Sequence, residues 1–121
     1  MSLEDIERKL QEVLDARASK IGKWEVAEIA ASGNVSGAVD LGGHFGFLHI
    51  VIPTITSAQL ELQVSKELSG TYQDLRQDAL TDLSTGGFSD TWKLGGWRFI
   101  KIQSSAAQTS AVRFEVRGVT Y

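Results

Sequence analysis

Cysteine is absent from the 121-residue sequence. That rules out a disulfide framework and any thiolate metal site, and it fits a reducing compartment. Proline occurs once and histidine twice, so histidine-based metal or acid–base chemistry has few residues to draw on. No uninterrupted apolar run approaches the roughly 20 residues of a membrane helix. The longest apolar tract, 45–52, is broken by Gly46 and His49. An excess of positive charge is missing too. Twelve Lys and Arg stand against 15 Asp and Glu, for a net charge of −3, and they are scattered among the acids instead of gathered into a basic patch. The start mixes acids and bases, unlike the basic opening and apolar block of a signal peptide. Neither nucleic acid nor membrane is expected as a partner, and assembly in the cytoplasm is.

What is present is β-type patterning punctuated by 12 glycines. Val112, Phe114 and Val116 alternate with Arg113, Glu115 and Arg117, the period of a half-buried strand. Leu60, Leu62 and Val64 alternate in the same way with Glu61 and Gln63. Residues 47–52 are apolar on both faces apart from His49, which predicts a central strand ended by Pro53. Further strands are predicted over 23–30, 38–41, 71–75, 91–94 and 97–102. The spacing of about eight strands every 8–12 residues is that of a sandwich or barrel. Residues 77–87 are the least regular stretch. The uncharged 104–110 loop reads as a mobile surface tip.

Residues 2–19 carry a different period. Leu3, Ile6, Leu10 and Val13 recur at helical spacing and Leu14 widens the stripe, with Ser2 as a cap and acids clustered in the first turn. The fold expected is a mainly β, jelly-roll-like antiparallel β-sandwich, residues 22–121, preceded by an amphipathic helix, residues 1–21. The helical stripe has two possible destinations: its own sandwich, or a neighbouring subunit.

No constellation points to catalysis. His44 and His49 are five apart, an odd separation that places them on opposite faces of a continuous strand. No serine stands in a G-x-S-x-G elbow. Asp74, Asp78 and Asp82 are spaced by four but lack the EF-hand pattern, so a solvated acidic edge is expected. The glycine pairs (42–43, 86–87 and 95–96) do not have phosphate-loop spacing. No catalytic residue, metal or cofactor is expected. Trp24, Trp92 and Trp97 are candidates for an aromatic platform that would bind a glycan, and core or rim packing is their commoner fate.

Several segments together resemble small tailed-phage virion structural proteins. They are Gly37-Ala38-Val39-Asp40-Leu41-Gly42-Gly43, Ile50-Val51-Ile52-Pro53, Leu60-Glu61-Leu62-Gln63-Val64-Ser65, Ser69-Gly70-Thr71-Tyr72-Gln73-Asp74-Leu75 and Trp97-Arg98-Phe99-Ile100-Lys101-Ile102. The similarity spans about 37–119 and leaves out the N-terminal helix. It implies a non-enzymatic bacteriophage role in the virion: capsid decoration, cement, or a head–tail accessory subunit. The partners implied are the major capsid or other virion proteins and sister copies in a homo-oligomer. Leu3, Ile6, Leu10, Val13 and Leu14 are then the candidate contact residues, and a carbohydrate-binding sandwich is the alternative.

Overall fold

The computed structural model describes residues 2, 3, 5, 6, 20–76 and 82–121. Among these lie nine strands: β1 (Lys20–Ile21), β2 (Glu25–Ile29), β3 (Val39–Asp40), β4 (Phe47–Ala58), β5 (Leu60–Ser65), β6 (Gln73–Asp74), β7 (Ser84–Lys93), β8 (Phe99–Ser104) and β9 (Val112–Thr120). They pair antiparallel in two sheets. In the first, β9 lies between β4 and a split edge made of β1 and β2, and β7 flanks β4. The second runs β3-β8-β5-β6. A mainly β, two-sheet architecture is therefore present, as the alternation of apolar residues predicts.

The core forms where the two inward faces meet. Leu48, Ile50 and Ile52 of β4 and Val112, Phe114 and Val116 of β9 face Leu60, Leu62 and Val64 of β5 and Ile100 and Ile102 of β8. Burying each large side chain contributes about 1.5–3 kcal/mol. One end of the sandwich is closed by Phe45, whose ring lies against Gly118 and Gly22. A Cβ at Gly118 would overlap that ring, so only glycine admits the plug there.

Three expectations need correction. Pro53 does not end its strand: β4 continues to Ala58. The β4–β9 ladder stops at Val51, and the β4–β7 register passes from Ile52 to Thr54. No registered partner therefore loses a donor at Pro53, which is where a sheet tolerates proline. Opposite this point Gly86 adopts φ +75°, and a Cβ there would strike the Pro53 carbonyl oxygen. Second, the short strand expected over 91–94 is the end of the ten-residue β7, which starts at Ser84.

Third, the 104–110 loop is pinned. Gln108 is 1% exposed. Its side-chain Oε1 accepts from Thr56 N at 2.8 Å, and Nε2 donates to Ser104 Oγ at 2.9 Å and Thr56 O at 3.2 Å. Its own backbone donates to Gly33 O at 2.8 Å and accepts from Ser32 N at 2.7 Å. The register of β4 shifts between Thr54 and Ala58, so the Gln108 amide serves Thr56 as a neighbouring strand would.

The first sheet begins at Lys20, inside the segment assigned to the N-terminal helix, with Lys20 registered on Thr120 and Ile21 on Val119. Of the helical stripe, Leu10, Val13 and Leu14 lie outside the described residues, as does Asp78 of the acidic edge. Asp5 N donates to Ser2 Oγ and Ile6 N to Ser2 O, each at 3.2 Å, the pattern of a capped first turn.

Candidate functional site

The outer face of the first sheet follows from the same alternation that fills the core. Residues registered across strands share a face. Ser89, Val51, Glu115 and Val26 form one row, and Thr91, His49 and Arg117 the next. Trp24, just before β2, lies under the Arg117 guanidinium, with Cζ 4.4 Å from the ring centroid. Tyr121 closes the other side, its ring 5.4 Å from that of Phe47. A shallow groove of about 330 Å³ runs along this face between Trp24 and residues 89–91.

His49, Arg117 and Tyr121 on this face are committed to one another. Arg117 Nε donates to His49 Nδ1 at 3.1 Å. Because the arginine is always protonated, Nδ1 is the acceptor, and the neutral ring carries its proton on Nε2. That N–H faces the Tyr121 hydroxyl at 2.7 Å. Burial, and then the Arg117 charge, hold His49 below the ordinary histidine pKa. An imidazole with one nitrogen protonated and the other occupied by arginine has no lone pair free to act as a base. On the far edge Arg113 Nε pairs with Glu28 at 3.1 Å. The face presents aromatic and aliphatic surface flanked by the Arg113–Glu28 pair.

The tryptophans do not form one platform. Trp92 is 3% exposed, and its indole N–H donates to Asp90 Oδ2 at 3.0 Å. Trp24 is 47% exposed and belongs to the first sheet. Trp97 is half-buried beside β8 of the second sheet and borders two clefts. Core packing accounts for Trp92, as for most tryptophans in strands.

The histidines do not converge either. His44 Nδ1 lies 2.9 Å from Gly96 O, while both nitrogens of His49 are engaged as described. Among the described residues no cluster of three or more His, Cys, Asp or Glu could hold a metal. At the end of the second sheet, Arg98 grips Asp40 through Nε to Oδ1 at 2.7 Å and Nη2 to Oδ2 at 3.1 Å. With help from the Gly42 N–H, that grip holds the Asp40 carboxyl below its ordinary pKa. This pair fixes the β3–β8 edge.

Of the candidate contact residues, Leu3 and Ile6 are exposed, at 71% and 51%. The row His49–Arg117–Trp24 went unseen in the sequence. Alternation places Arg117 and His49 outward, but only the register of β4 on β9 makes them neighbours.

No family model matches the chain, and no curated protein matches it. Among solved structures, one match is titled an IMPa metallopeptidase in complex with T-antigen: 15% identity and a TM-score of 0.43 over 86% of this chain. The chain spans 13% of the length of that protein. A second is a Yersinia pseudotuberculosis-derived mitogen, with 14% identity and a TM-score of 0.38, covering 86% of this chain and 88% of that one. At these scores neither carries an argument about what this chain does.

Proposed function

We propose that the chain is a non-enzymatic virion structural protein, a decoration, cement or head–tail accessory subunit, that docks on a capsid or other virion protein. The observation that carries the reading is the outer face of the first sheet. Trp24, Val26, Phe47, Val51, Arg117 and Tyr121 lie together there, with Arg117 and Tyr121 both engaged by His49. Exposed aromatics and arginine over apolar neighbours are the composition of interface hot spots. A face whose histidine is locked as a donor is built for packing, and it offers no base to a reaction.

The virion as the site of docking comes from the sequence resemblance over residues 37–119. The strand order, (β1, β2)-β9-β4-β7 over β3-β8-β5-β6, supports a jelly-roll reading, a frame used by viral capsid and lectin domains alike. The frame is compatible with the reading and does not choose it.

Gradient-purified particles of the virus that encodes the chain provide the test. The chain should be present in a fixed copy number, measured by quantitative mass spectrometry. A folded Trp24→Ala, Val26→Asp double variant should lose most of its occupancy. If the chain is missing from particles, or the variant binds as well as the parent, the reading fails. Removal of residues 1–19 tests separately whether the N-terminal stripe also contributes.

A further inference from the structure

On the second sheet lies a cleft several of whose polar groups have no partner among the described residues. Trp97 stands between a cleft of about 540 Å³, walled by the end of β5, the 66–71 turn and β6, and one of about 360 Å³ toward His44. Among the described residues, no hydrogen bond or ion pair engages the Trp97 indole N–H, the Lys66 ammonium, the Glu67 carboxylate or the Thr71 hydroxyl. By contrast, the Trp92 indole is bonded to Asp90, His49 to Arg117 and Arg98 to Asp40.

The wall of the larger cleft is braced. Gly70 N donates to Glu67 O at 3.1 Å, and the Tyr72 hydroxyl to Leu68 O at 2.8 Å. Lys101 Nζ caps the Tyr72 ring at 4.6 Å from its centroid. Asp74 Oδ1 is held by Gln63 Nε2 at 3.2 Å, which leaves Oδ2 for another donor. A braced site keeps its donors and acceptors in place before a ligand arrives, which lowers the entropy lost on binding.

We propose that the cleft beside Trp97 is a binding site for a neutral pyranose sugar. The half-buried indole lines the cleft with apolar ring surface, and the same lining holds both donors (the indole N–H and Lys66) and acceptors (Glu67 and Asp74). A pyranose has an apolar C–H face and hydroxyls that donate and accept at once, so it satisfies both halves of the lining. The carboxylates of Glu67 and Asp74 oppose an anionic ligand. The site uses one tryptophan, not three, and it is independent of the docking face on the other sheet.

Saturation-transfer NMR on the full chain tests the site, with methyl glucoside, methyl galactoside, methyl mannoside and N-acetylglucosamine as probes and glucuronate as the charged counterpart. At least one neutral sugar should bind saturably in the millimolar range. Trp97→Ala should weaken it about tenfold or more. The exposed changes Thr71→Val and Glu67→Gln, which leave the core untouched, should weaken it several-fold at unchanged melting temperature, and Trp24→Ala should have no effect. The proposal is overturned if no neutral sugar saturates up to about 50 mM, if Thr71→Val and Glu67→Gln are both without effect, or if glucuronate binds equally well.

Discussion

Gln108 shows how much one side chain can hold. A buried amide that serves both the N–H and the C=O of Thr56 cannot be replaced by an apolar group without stranding them, and each stranded group costs about 1–3 kcal/mol. Gln108→Ala should therefore destabilise the fold by about 2–4 kcal/mol, read from denaturant midpoints. An equivalent change at exposed Gln73 should cost little. His49 gives a second prediction. Its folded pKa lies below the unfolded value of about 6.5, so between the two the unfolded chain binds more protons. Stability linked to His49 is thus fully present above that value and declines as pH falls beneath it. Arg117→Gln should raise the His49 pKa measured by NMR, though not to the ordinary value, because burial is the larger cause. If Arg117→Gln leaves the titration unmoved, the Nδ1 contact does not operate in solution.

At the level of elements, Phe45 and Gly118 form a lock that can be tested by coupling. Gly118→Ala should be strongly destabilising, since its methyl would meet the Phe45 ring. In a Phe45→Ala background the same change should cost much less, and a double-mutant cycle on melting temperatures measures the difference. Elements also differ in how well the sequence announces them. β5 and β9 are plain because one face is buried and one is wet, so polarity alternates with the backbone. β7 is hidden: its SerThrGlyGlyPheSerAsp start looks like a loop. It is an edge strand whose inward side is mostly unburied, and its two glycines adopt positive φ where β7 passes close to Pro53. The 104–110 loop was opaque for a related reason. Small uncharged residues suit a solvent loop and a stitched one equally, and the distinction rests on Thr56, some fifty residues away. The candidate site was less legible still, because its neighbours meet only through strand register.

For the molecule as a whole, the two sheets divide two possible tasks. The first carries an apolar face with His49 held between Arg117 and Tyr121, and the second carries a cleft with several donors and acceptors unpartnered among the described residues. If the first face is a docking surface that also joins sister copies, the mass of the purified protein in solution should exceed that of one 121-residue chain. Val26→Asp should return it to the monomer. A monomeric parent would leave the shell, and not a sister copy, as the occupant of that face.

The position of β9 also bears on how the molecule comes into being. The last strand of the sheet is its axle: β1, β2 and β4 all pair with it. During synthesis the early strands therefore wait, with their apolar sides open, until Val112–Thr120 has left the ribosome. Nascent chains arrested before Val112 should be protease-sensitive and prone to capture by chaperones, and those extended past Thr120 by a linker should be protected. Long-range pairing of this kind folds slowly, so the same strand that completes the outer face of the first sheet also sets the time at which that face can first exist.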